Sequence, residues 1–134
     1  MNRESYFLKG VERFKKGDFD RSLFFFDKNI KINPTHAQSY YYIGRINFYK
    51  KNYRFAREYF ELCYSDEPKN LLYNLHLGKT LLALKEYEKS LKFLSFYAAS
   101  NLDGYFFLGL AYYNLNDFKL ACKYFEICEE ALLD

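Results

Sequence analysis

Apolar residues recur along this chain at helical spacing, yet the stripe they form is too wide for a single face. In "SLFFFDKNIKINP", residues 22–34, Phe24, Phe25 and Phe26 stand side by side. Three consecutive residues sweep about 200° of a helix, so such a helix must be covered on two sides. The same demand returns at a fixed interval. Gly10, Gly44 and Gly78 are 34 residues apart, as are Pro34 and Pro68, and Gly109 follows 31 residues after Gly78. Nine residues after each glycine stands an aromatic: Phe19, Tyr53, Tyr87 or Phe118. Twelve after it stands a small residue, Ser22, Ala56, Ser90 or Ala121, and sixteen after it a large apolar one, Phe26, Phe60, Leu94 or Phe125. Registers that agree across the whole chain mark four copies of one unit.

Each copy reads as two antiparallel helices. The glycine lies on helix A and the small residue on helix B, and the two are expected to meet where the backbones come closest. The connectors "KKGDF", "KKNYR", "LKEYE" and "NLNDF" are short and polar, with Asp18, Asn52 and Asp117 placed to cap helix B. At "INP" and "DEP" a proline ends one unit and opens the next. The expected fold is all-α, a solenoid of antiparallel helix pairs with about eight helices. It forms one domain over 1–134, with repeats near 3–34, 35–68, 69–101 and 102–134. In such a stack helix B touches its own helix A and the next one. Phe26 is then core and Phe25 half-buried. Phe24, whose counterparts Glu58, Lys92 and Lys123 are polar, is expected alone on the outer face.

Composition agrees with helices: half the residues are apolar, with no Trp, 2 Pro and 6 Gly. The first residues lack the unbroken apolar run of a secretory signal. "GYFFLGLAYYNLN" falls short of the ~18 residues of a membrane span, so the expectation is a soluble, cytoplasmic protein. The odd number of cysteines, Cys63, Cys122 and Cys128, argues against a disulfide framework, and neither they nor His36 and His76 have metal-ligand spacing. Cys63 and Cys128 share one register place and are expected to be buried thiols. There is no nucleophile beside a base and no glycine-rich phosphate loop; the pairs Glu129/Glu130 and Asp18/Asp20 lie at helix ends and connectors. The reading is a non-enzyme without cofactor or metal.

Net charge is +3, from 20 basic and 17 acidic residues, but the ends differ in sign. Residues 1–34 hold 8 Lys/Arg against 5 Asp/Glu, and residues 102–134 hold 2 against 6. Single-stranded nucleic acid is raised as a partner by "YYYIGRINFYKKNYRFAREYF", where aromatics interleave with Arg and Lys. The repeat register instead gives Tyr40, Phe48, Tyr53 and Tyr59 to helix packing and Lys50, Lys51 and Arg54 to a solvated connector, which argues against it.

The period and the "G…A…F…P" pattern resemble the tetratricopeptide repeat, most closely in "GVERFKKGDFDRSLFFFDKNIKINP". Tyr6, Tyr40, Asn74 and Tyr105 replace the family's leading Trp, and the third unit ends "AASNL" without proline. The resemblance implies a right-handed superhelix whose concave face, built from helix A, binds a peptide or protein segment. The side chains it assigns to that groove are Phe7, Val11, Phe14 and Lys15 in the first unit, and Tyr41, Tyr42, Arg45, Phe48 and Tyr49 in the second. Leu75, His76 and Lys79 follow in the third, and Phe106, Phe107, Leu110 and Tyr113 in the fourth. Such a surface suits apolar anchors and one carboxylate. The two-carboxylate clamp by which some relatives hold chaperone C-terminal tails is not matched: its places hold Phe7, Val11, Tyr42, Leu72 and His76, or one unit later Tyr41, Arg45, His76, Asp103 and Phe107. An alternative is self-assembly. Either the units belong to a longer protein, or the last helix B is expected to lay open the face meant for a further unit, with Leu120, Tyr124, Ile127 and Ala131 as an edge for head-to-tail or symmetric homo-oligomers.

Overall fold

A computed structural model describes residues 3–133. Eight helices follow one another: α1 (Arg3–Lys15), α2 (Phe19–Ile32), α3 (Ala37–Tyr49), α4 (Tyr53–Asp66), α5 (Leu71–Ala83), α6 (Tyr87–Ala98), α7 (Gly104–Asn114) and α8 (Phe118–Leu133). No strand occurs among the described residues, and no helix is long and apolar enough to cross a membrane. The chain divides between Glu67 and Pro68 into two compact units, each holding two helix pairs.

The link from helix A to helix B is the same turn in every repeat. The residue seven after each crossing glycine has a positive φ: Gly17 at 77°, Lys51 at 64°, Lys85 at 63° and Asn116 at 65°. The amide after it donates back across the helix end, from Asp18 to the Arg13 carbonyl at 2.9 Å, Asn52 to Asn47 at 2.8 Å, Glu86 to Leu81 at 2.9 Å and Asp117 to Tyr112 at 2.9 Å. This is a Schellman C-cap, which satisfies the last carbonyls of helix A and reverses the chain within two residues. Helix B then starts on a side-chain cap where the sequence supplies one. Asp18 accepts from the Arg21 amide at 3.3 Å and Asp117 from the Leu120 amide at 3.2 Å. Asn52, expected to do the same, makes no such bond.

At each crossing the room left by the glycine is filled by the large residue of helix B, not by the small one. A Cβ on Gly10 would lie 2.6 Å from the Phe26 ring, on Gly44 2.7 Å from Phe60, on Gly78 2.6 Å from Leu94 and on Gly109 2.4 Å from Phe125. Ser22, Ala56, Ser90 and Ala121 are buried beside these contacts, and in the first repeat the Ser22 hydroxyl donates to the Gly10 carbonyl at 2.6 Å. The three phenylalanines of α2 separate as their register requires. Phe26 is fully buried, Phe25 half-buried and Phe24 57% exposed. Phe24 is not alone: its ring meets Phe25 at 5.5 Å and the Lys28 ammonium at 5.4 Å.

The core of the first unit is Phe26, Ile43 and Ile46, flanked by Phe7, Val11, Phe14 and Tyr42. That of the second is Leu94, Ala98, Leu108 and Ala111, flanked by Leu82, Tyr105, Phe107 and Tyr124. In both, helix A of the following repeat closes over helix B of the preceding one.

Candidate functional site

In the first unit the helix A faces of α1 and α3 converge on one side chain, Arg45. Its guanidinium lies 4.9 Å from the ring centre of Phe14, 5.5 Å from Tyr41 and 5.9 Å from Tyr49. Nη2 donates to the Tyr49 hydroxyl at 3.0 Å, while Nε is buried without an acceptor. No carboxylate among the described residues pairs with it. The surrounding rings brace one another: Phe14 meets Tyr42 edge-on at 5.1 Å, and Tyr49 stacks on Phe19 at 5.7 Å and 10°. Burial raises the Tyr41 phenol above its usual range, with Arg45 opposing it in part. The phenol therefore stays neutral at physiological pH. A cation held against aromatic faces is worth roughly 0.5–2 kcal/mol, and its unused donors remain suited to a carboxylate.

In the second unit the helix A faces are those of α5 and α7. Lys79 reaches 5.3 Å from the Phe107 ring, and Tyr113 is 56% exposed against Phe118 at 5.4 Å. Leu110, Phe107 and His76 are half-buried.

The expected groove residues therefore divide by register. Tyr41 and Leu75, three before their glycines, are only 7% and 8% exposed and belong to the core, because that offset points along the seam between repeats. Phe7, at the same offset, is half-buried beneath Tyr42 and His36, and Tyr42 itself stacks on Phe26 at 5.4 Å. Lys15 and Tyr49 are exposed, and Val11, Phe14, Arg45 and Phe48 half-buried. Of the expected assembly edge, Leu120, Tyr124, Ile127 and Ala131 are all half-buried, with Tyr124 stacked between Tyr105 and Tyr112 at 5.5 and 5.6 Å. The opening in that region shares only Ala131 with the expected edge: a pocket of about 250 Å³ forms among Leu102, Asp103, Phe106, Cys128, Ala131 and Leu132. Sequence reading missed Leu102 and Asp103. The signal was the recurrence of Phe7 and Phe26 as Phe106 and Phe125 in the last repeat.

The two cysteines at one register place differ. Cys63 is fully buried, donates to the Ala37 carbonyl at 3.2 Å, and has its pKa pushed up to about 12 by burial and then by Asp66. Cys128, expected to be buried likewise, is half-exposed on the pocket wall.

Residues 4–36 and 102–131, which take in most of the first and last helix pairs, match the tetratricopeptide repeat family. Those two segments are tetratricopeptide repeats. Solved structures with the same helical course include MamA residues 41-end from Desulfovibrio magneticus RS-1, with a TM-score of 0.89 and 22% identity over 96% of this chain and 75% of that one. A further crystal structure of MamA gives 0.87 and 20% over 96% and 77%. TTC0263, a thermophilic tetratricopeptide repeat protein of Thermus thermophilus, gives 0.76 and 19% over 95% and 73%. At these identities the likeness establishes the fold. No curated protein matches the sequence. The two middle helix pairs, outside the matched segments, keep the same glycine crossings and Schellman turns.

Proposed function

We propose that the chain is a non-catalytic interaction module whose helix A faces bind a peptide or protein segment with apolar anchors, and that Arg45 receives a carboxylate of that segment. Fold alone does not assign a function, so the reading rests on the site. The observation that carries it is the Arg45 guanidinium, walled by Phe14, Tyr41 and Tyr49, with a buried Nε that no acceptor satisfies. A buried donor without a partner costs about 1–3 kcal/mol, which marks this guanidinium as incompletely satisfied, and its Nη donors are the ones offered to an incoming carboxylate. The exposed Tyr49 and half-exposed Val11 and Phe48 supply apolar area at low entropic cost.

Selection of peptides with free C-termini from a random displayed library, on the folded chain, tests this. The expected enrichment is for an aromatic or aliphatic residue next to a carboxylate, and it is lost on a Tyr49→Ala chain. Enrichment of sequences with no acidic group, or the same set on both chains, would refute the reading.

A further inference from the structure

The guanidinium of Arg45 is held in a way that sets a second donor beside it. Nη2 donates to the Tyr49 hydroxyl oxygen at 3.0 Å. An oxygen that accepts from the guanidinium cannot turn its own hydrogen the same way, so the phenol O–H is directed to the open side. That side faces solvent, because Tyr49 is 50% exposed and is the last residue of α3. The ring itself is fixed, parallel to Phe19 at 5.7 Å and 10°. A cation and an O–H donor thus stand one hydrogen bond apart on a stiff aromatic wall.

Charge narrows what can meet this pair. No acid among the described residues pairs with Arg45, and the charge that bears on the Tyr41 phenol is the guanidinium's own. The nearby lysines are engaged elsewhere or solvated: Lys50 bonds Asp20 at 2.9 Å, and Lys15 is exposed. One enclosed cation matches one negative charge. The site also lies at the carbonyl ends of α1, which closes at Lys15, and of α3, which closes at Tyr49, where the helix dipoles oppose further negative charge. A carboxylate is planar and singly charged, and it sets two acceptor oxygens side by side against two donors. A carboxamide would turn its NH2 on one of those donors and leave it unpaired. A phosphate monoester would bring a second charge with no enclosed cation to meet it.

We infer that Tyr49 is a specificity-determining residue of this site: its hydroxyl donates to one carboxylate oxygen while Arg45 takes the other, so the ligand class is a monoanionic carboxylate beside an apolar group, neither carboxamide nor phosphate. The inference rests on the reading of Arg45 given above. Tyr41, only 7% exposed, is too enclosed to reach a ligand in the same way and serves as wall.

The probes are N-acetylphenylalanine, its carboxamide and phenyl phosphate. Each is titrated against the full chain, wild type and Tyr49→Phe, and followed by the NMR signal of the Arg45 Nε–H. Tyr49→Phe keeps the ring on Phe19 and removes one oxygen from an exposed side chain, so the fold is retained, which circular dichroism verifies. On the wild type the acid should bind saturably and at least about tenfold tighter than the carboxamide or phenyl phosphate. On Tyr49→Phe the acid alone should weaken, by at least about fivefold. A hydroxyl that only anchors Arg45 predicts the opposite sign, since its removal frees Nη2 for the ligand. Acid binding on Tyr49→Phe as tight as on the wild type, or tighter, would therefore overturn the assignment and leave the reading of Arg45 standing. So would phenyl phosphate binding as tightly as the acid. Equal binding of acid and carboxamide to the wild type, or no saturable shift at Arg45, would overturn that reading and this assignment with it.

Discussion

Replacing Gly10 by alanine puts a methyl group 2.6, 2.8 and 2.8 Å from three atoms of the Phe26 ring. Ordinary carbon contacts are about 3.5–4.0 Å, so the ring must retreat by nearly an ångström. It has little room to move, because Phe26 is fully buried with Tyr42 stacked on it at 5.4 Å and Phe7 at 5.9 Å. Overpacking costs roughly 1–3 kcal/mol, here about 2–3 because the enclosed ring cannot relax, and alanine returns about 1 kcal/mol of helix propensity over glycine. The net expectation is a loss of about 1–2 kcal/mol. Gly109→Ala meets a shorter contact, 2.4 Å to Phe125, but that ring is only half-buried and can swing outward. Its propensity gain then offsets most of the strain, leaving a net change within about 0.5 kcal/mol. Urea unfolding followed by circular dichroism, with hydrogen exchange in α2 and α8 to locate the change, separates the two. A loss of about 1–2 kcal/mol corresponds to a midpoint shift of roughly 0.5–1 M for Gly10→Ala at a slope near 2 kcal/mol per molar urea. A larger loss for Gly109→Ala than for Gly10→Ala would mean that contact distance alone decides, and would refute the argument from the freedom of the ring.

The left-handed residue of each Schellman turn gives a pair of opposite effects. Gly17→Ala, with open space around it but φ at 77°, should cost about 1 kcal/mol, while Lys51→Gly at φ 64° should stabilise by a few tenths in the same urea assay. Asp18→Ala should cost about 1 kcal/mol through its lost cap and Asn52→Ala close to nothing, since only Asp18 accepts from a helix amide. With iodoacetamide on the native chain near pH 8, mass spectrometry should find Cys122, which is exposed, modified first and Cys63, fully buried, spared. Because the folded chain holds the Cys63 proton up to about pH 12 while an unfolded thiol gives it up near 8.5–9, that residue's contribution is complete below pH 8.5. It declines as pH rises from there towards 12. Cys63→Ala should flatten this alkaline loss.

The helix count and the burial order of Phe24, Phe25 and Phe26 were legible because they depend on periodicity, which survives in a single sequence. The glycine positions were legible too, but not their partner. Phe26 and its equivalents fill the gap because a helix B side chain sixteen residues on reaches across the crossing, whereas Ser22 and Ala56 only permit the approach. Lys51 and Lys85 carry no local sign of a left-handed backbone; only alignment with Gly17 and Asn116 reveals it. In the candidate site, apolar periodicity does not separate a side chain facing solvent from one facing the seam between repeats. Tyr41 and Leu75 fell on the wrong side of that line, while Arg45, one of several basic residues expected on that face, is set apart only by the structure, which encloses it with Phe14, Tyr41 and Tyr49.

The role of Arg45 is tested most directly by a thermodynamic cycle on a peptide selected against the folded chain. Its affinity is measured with the carboxylate intact and replaced by carboxamide, on the wild-type chain and on Arg45→Met, which keeps the packing on Phe14 without the charge. A carboxylate meeting a partly buried guanidinium should make the amide at least about tenfold weaker on the wild type and less than about twofold weaker on Arg45→Met. An equal loss on both chains, or none on either, would contradict the account.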